Sequence, residues 1–133
     1  MYLYIYFIAL FIFLIIDALW LGVVARNLYK KEIGFLMKKN INWVAAIVFY
    51  LLFILGLTVF VIEPVIVRDG QFLNSLTLGS LFGLVSYATY DLTNLATIKK
   101  WPIKVTIIDL AWGSFIGGIV SIITHMIIIN LII

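Results

Sequence analysis

Three aspartates stand inside long apolar segments, where a charged side chain is expensive to keep. Asp17, Asp91 and Asp109 are each surrounded along the chain by mostly apolar residues. In hydrocarbon, an aspartate at a helix centre costs about 2.5–3.5 kcal/mol. Acids retained at that cost usually face the interior of a helical bundle and mark paths or sites for ions and protons. These three are therefore the first candidates for chemistry.

Polar aromatic side chains recur beside these acids at helical spacing. In the segment YATYDLTNLAT (87–97), two tyrosines, an aspartate and an asparagine share or adjoin one helical face. Each of the other two aspartates is followed by a tryptophan three residues later, one helical turn away. The residues predicted to form a ligand-binding site are Asp17, Trp20, Tyr87, Tyr90, Asp91, Asn94, Asp109 and Trp112.

If their helices converge, these residues form a polar cup that suits a cation. Carboxylates supply negative charge, aromatic faces attract a desolvated ammonium, and a protonatable acid can exchange its proton for a bound cation. The alternative is purely structural. The acids would then hydrogen-bond to neighbouring helices, or Asp109 would cap its helix or pair with Lys99, Lys100 or Lys104.

Enzyme chemistry has little support in the sequence. The chain has no cysteine and contains no H-E-x-x-H, G-x-S-x-G or phosphate-loop motif. His125 lies sixteen residues beyond Asp109, roughly 24 Å along a helix, so a metal site joining them is not expected. No catalytic residue or metal ligand is assigned, and the cofactor question stays open.

The composition of the chain predicts that these residues lie on membrane-spanning helices. Of 133 residues, 65% are hydrophobic and only 11% are charged, which excludes a soluble globular domain. Four apolar segments, at about 2–25, 42–62, 72–97 and 105–131, are each long enough to span about 30 Å of hydrocarbon as a helix. The predicted fold is an all-α, polytopic four-helix membrane bundle in a single domain, 1–133. The lipid bilayer is its expected partner, and the net charge of +3 gives no support to nucleic-acid binding.

Basic residues predict the orientation of this bundle. Of the nine Lys and Arg residues, all except Arg68 lie in the connections 26–41 and 98–104. The positive-inside rule assigns these connections to the cytoplasm and both termini to the opposite side. The first connection is also predicted to hold a short interfacial helix, with Trp43 and Trp101 as interfacial anchors.

Small residues predict the closest helix pair. Gly79 and Gly83, and in the last segment Gly113, Gly117 and Ser121, recur every four residues and so lie on one face of each helix. Such faces let helix backbones approach closely in lipid. The third and fourth helices are therefore expected to pack most tightly.

Several stretches resemble a family of small bacterial inner-membrane proteins catalogued as a domain of unknown function. They are DALWLG (17–22), WVAAIVFYLLF (43–53) and FGLVSYATYDLTNLATIKKWPIKVTIIDLAWG (82–113). The resemblance covers nearly the whole chain and implies a four-helix protein of the inner membrane. The candidate residues other than Tyr87 match motif positions of that family, but the resemblance implies no activity, substrate or cofactor.

The leading functional hypothesis is binding or transport of a small cationic solute, an ion or a proton through the polar cup. By analogy with small four-helix exporters, which act as dimers, a homodimer is compatible with this hypothesis. The alternative is a non-transporting scaffold or accessory subunit with a structural polar layer. An enzyme acting on lipid headgroups through Asp-bound Mg²⁺ is the least favoured class.

Overall fold

Helix forms over each of the four apolar segments and over part of the first connection. The computed structural model describes residues 1–133, with every side chain except that of Val24. Wider π-helical turns extend three of the helices, over Trp20–Val24, Thr58–Ile62 and Ile128–Ile132. The α-helices are α1 (Tyr2–Leu19), α2 (Arg26–Ile33), α3 (Trp43–Leu57), α4 (Glu63–Val67), α5 (Phe72–Thr97) and α6 (Ile103–Ile127).

Three helical segments are long and apolar enough to cross a membrane: Tyr2–Val23, Trp43–Val67 and Ile103–Ile132. They correspond to the first, second and fourth predicted spans. The 26-residue α5 forms where the third span is predicted, but its Ser, Thr and Asn residues make it more polar than the other three. Its hydroxyl groups commonly donate to a backbone carbonyl one turn earlier in α5, as Ser86 and Thr89 do, which lets polar side chains remain in an apolar helix.

The second span is longer than its predicted end at residue 62, because Pro64 does not end it. A π-helical turn precedes Pro64, and the helix then continues to Val67. Proline has no N–H to donate, and near the start of the new helical segment α4 that N–H is not needed. The chain reverses at the predicted turn, where Asp69 has a φ of 54° and Gly70 N donates to Val65 O at 2.8 Å.

The glycine faces bring α5 and α6 together in the most extensive helix contact of the structure. A Cβ added to Gly83 would overlap Gly113 O, and one added to Gly117 would overlap Gly79 O. The two backbones therefore touch directly, and the predicted tight pair is confirmed. We call this contact the α5–α6 seam.

Large apolar side chains fill the bundle toward the end that carries the chain termini. On α1 the buried residues Ile5, Ala9 and Phe13 recur every four residues and meet Phe53 and Leu57 of α3. The buried acids lie toward the other end of the bundle, which carries α2 and the 98–102 connection. We call it the basic end.

Candidate functional site

The register of the α5–α6 seam places Asp91 opposite Asp109. The two helices are antiparallel, and buried residues recur every four positions on each, so that they meet in order along the seam. From the terminal end to the basic end, the facing residues are Ser75 with His125, Gly79 with Ser121, Gly83 with Gly117, Tyr87 with Gly113, and Asp91 with Asp109. The glycines thus bring the two helices close enough for the acids at the end of the seam to meet.

The two acids form a carboxyl pair with few other partners. Both side chains line the same cavity at the end of the seam. Asp91 is completely buried, and no described side chain or backbone group donates a hydrogen bond to either of its carboxyl oxygens. Two ionised carboxylates side by side in a buried cavity repel each other, so the pair is stable only with a proton or a cation between them.

Asp109 has a second partner, which comes from the first connection. The Tyr29 hydroxyl on α2 donates a hydrogen bond to Asp109 Oδ1 and lies 3.4 Å from Trp20 Nε1, which donates to it. Burial, and then the hydrogen bond to Asp109, raise the pKa of Tyr29, so its hydroxyl remains a neutral donor. α2 is therefore folded over the carboxyl pair at the basic end.

A cavity of about 320 Å³ adjoins the pair. Its walls consist of two carboxyl groups, three phenol groups, one phenyl ring and one serine. The lining residues are Tyr29, Phe49, Ser86, Tyr87, Tyr90, Asp91 and Asp109. The space thus combines concentrated negative charge with flat apolar surfaces.

Asp17 lies in a separate neighbouring cavity. It is the next residue after Phe13 in the buried row of α1, and its Oδ1 accepts a hydrogen bond of 3.3 Å from Trp112 Nε1. The Trp112 ring stacks on Trp20 with centroids 4.4 Å apart. This second cavity, about 220 Å³, is lined by Asp17, Trp20, Leu21, Tyr29, Ala46, Phe49, Tyr50, Tyr87 and Trp112.

The cup expected from the sequence is therefore divided into two chambers. Tyr29, Phe49 and Tyr87 line both cavities and stand between them. The carboxyl groups of Asp91 and Asp109 meet in one chamber, while Asp17 lies in the other. Asn94 is half-buried one turn beyond Tyr90 and lines neither cavity.

Some residues around the site differ from their sequence-based interpretation. Trp101 is buried. Its indole packs inside the protein, where its Nε1 donates to Thr106 Oγ1 at 3.0 Å and Thr106 lies 3.4 Å from the backbone carbonyl of Asp91. Lys104 pairs with Glu32 of α2 at 3.8 Å, and Asp109 takes no part in an ion pair among the described side chains.

Tyr29 and Tyr50 were not predicted from the sequence. For Tyr29, a usable signal is its spacing from Glu32: the two are three residues apart on α2, on the face that meets α6. That pattern indicates a helix docked through a polar face. For Tyr50, beside Asp17, the apolar segment WVAAIVFYLLF carries no comparable signal.

His125 lies at the far end of the seam, as expected from its distance along the helix. Its Nδ1 is 2.8 Å from Ser75 Oγ, and its ring meets the Phe72 ring edge to face at 4.7 Å. Among the described residues, no three His, Asp or Glu side chains are grouped closely enough to hold a metal ion.

A family model described as a predicted membrane protein, DUF2177, matches residues 2–126. No curated protein and no solved structure matches the chain.

Proposed function

The chain belongs to the DUF2177 family of predicted membrane proteins, and from that premise we propose that it binds a small organic cation at Asp91 and Asp109, for movement across the bacterial inner membrane. The observation that carries the proposal is Asp91: a completely buried carboxyl group with no hydrogen-bond donor, beside a second acid and an aromatic cavity. A buried charge without a partner is costly. A cation in this cavity supplies the missing partner.

The proposal includes four membrane-spanning helices. α5 is 26 residues long, about 39 Å at the rise of an α-helix, and it packs along α6, which is itself apolar enough to span. A helix paired in this way occupies the same depth as its neighbour. With an even number of spans and the basic end in the cytoplasm, both termini lie outside it.

An organic cation fits the cavity better than a bare metal ion. Phenol and phenyl rings of Tyr29, Phe49, Tyr87 and Tyr90 form much of the wall, and aromatic faces attract desolvated ammonium groups by about 0.5–2 kcal/mol each. A hard metal ion instead requires about six oxygen ligands. The two carboxyl groups and a nearby phenol suit the N–H donors of a primary ammonium group.

The alternative is a scaffold whose polar groups only fix the helix packing. It is favoured by the other acids, since Asp17 accepts from Trp112 and Asp109 accepts from Tyr29 without any ligand. Asp91 distinguishes the two proposals, because a purely structural network would be expected to provide it with a donor.

Calorimetric titration of the purified protein in dodecyl maltoside tests cation binding. We expect phenethylammonium to bind saturably and neutral 2-phenylethanol, which has the same ring and chain length, not to bind. Asp91→Asn and Asp109→Asn should each weaken binding about tenfold or more, because a hydrogen bond to a charged group contributes about 1.5–3 kcal/mol.

Asp69→Asn is the matched control, because it removes a carboxylate from the turn at the opposite end of the bundle. This variant should bind phenethylammonium like the wild type. Equal binding of 2-phenylethanol, or undiminished binding by Asp91→Asn, would support the scaffold instead. Absence of phenethylammonium binding to the folded wild type would overturn the proposal.

A further inference from the structure

The Asp91–Asp109 pair has no cationic side chain to balance it. The charged and titratable groups that face the pair are the phenols of Tyr29 on α2 and of Tyr87 and Tyr90 on α5. The neighbouring cavity lies beyond the rings of Tyr29, Phe49 and Tyr87. Its titratable groups from the other helices are Asp17 on α1 and Tyr50 on α3. Among the described side chains the only ion pair is Lys104 with Glu32, at 3.8 Å. Neutralisation of the pair must therefore come from outside the bundle.

We propose that the Asp91–Asp109 pair exchanges one proton for one organic cation, an inference that rests on the proposed function of the site. Without a cation, the carboxyl groups share one proton and the pair carries a single negative charge. When an ammonium ion enters, the O–H bond breaks and the proton passes to water at the basic end. Two carboxylates and one ammonium again sum to a single negative charge.

This conservation of charge is the physical reason for the exchange. Changing the net charge of a buried site costs several kcal/mol in desolvation, whereas replacement of one positive charge by another avoids that cost. The hydrogen bonds divide the roles of the two acids. Tyr29 donates to Asp109 and stabilises it as the carboxylate, so the exchanged proton resides on Asp91, whose oxygens receive no donor.

The test measures protons released as phenethylammonium binds. The purified wild-type protein is titrated by calorimetry at pH 7 in two buffers that differ in ionisation enthalpy, and the difference gives the number of protons released. We expect about one proton per bound cation. Between pH 6 and pH 8, where a primary alkylammonium stays charged, the affinity should rise up to tenfold per pH unit.

The outcomes separate this inference from the function on which it rests. Saturable binding with no proton release and no pH dependence would overturn the exchange and leave cation binding intact. Absence of binding would overturn both. Asp69→Asn should release about one proton, like the wild type, whereas a folded Asp91→Asn protein should release none. Release of a full proton by Asp91→Asn would contradict the assignment of the proton to Asp91.

Discussion

Substitution of Gly83 by alanine should destabilise the protein by pushing α5 away from α6. The new Cβ would overlap Gly113 O and would lie 2.8 Å from the Gly113 carbonyl carbon and 3.3 Å from Gly117 Cα. All three are backbone atoms, so no side chain can rotate away. The helices would have to separate by roughly 1.5 Å to move Gly113 O, the nearest of these atoms, to an ordinary van der Waals contact.

The expected loss of unfolding free energy is about 1–3 kcal/mol, the usual cost of an added methyl group in a fully packed contact. Separation would also act on the site, because Asp91 and Asp109 face each other only while the seam stays closed. Gly83→Ala should therefore weaken phenethylammonium binding although Gly83 does not line the cavity.

Thermal melting of the purified protein in dodecyl maltoside, followed by circular dichroism, measures the effect. Gly22→Ala is the matched control, because a Cβ there meets no atom within 4 Å and alanine is the better helix former. We expect Gly83→Ala to melt several degrees lower and Gly22→Ala to melt at or slightly above the wild type. If Gly83→Ala melts with the wild type, the backbones of α5 and α6 are not in direct contact at the seam.

Two further predictions concern α2 and the orientation of the chain. Tyr29→Phe removes the hydroxyl that donates to Asp109 and should lower the unfolding free energy by about 1–3 kcal/mol. Since the pKa of Tyr29 is raised by burial and by Asp109, the loss should be the same at pH 7 and pH 9. A loss seen at pH 7 but not at pH 9 would show that the phenol has ionised by pH 9 and would contradict a neutral donor. Because the chain has no cysteine, Arg68→Cys should react with a membrane-impermeant maleimide in bacterial cells with a permeabilised outer membrane, and Lys39→Cys only after lysis. The reverse pattern would overturn the proposed orientation.

The positions of the helices follow from local properties of the sequence. A long apolar segment forms helix because the backbone must satisfy its own hydrogen bonds in hydrocarbon, and segment length alone located the helices to within a few residues. The exception is the second helix, which continues past Pro64 to Val67. A π-helical turn over Thr58–Ile62 precedes Pro64, and the apolar pattern of the segment does not indicate it.

The α5–α6 seam was also predictable from the sequence, because glycine at four-residue spacing acts through the geometry of a single helix. The same four-residue spacing, continued from Gly83 on α5 and from Gly113 on α6, reaches Asp91 and Asp109. The meeting of these two acids was thus implicit in the spacing, although their binding role remains a prediction.

Only the tertiary structure decided which neighbours each acid has. The sequence predicts that Asp17 faces the bundle interior, but the rotation of α1 against α3 and α6 places it beside Trp112 in its own chamber. Likewise, the path of the first connection brings Tyr29 onto Asp109, 80 positions away in the chain. Helical periodicity determines which residues share a face, whereas the residues that a face meets depend on the shapes of all the side chains packed between the helices.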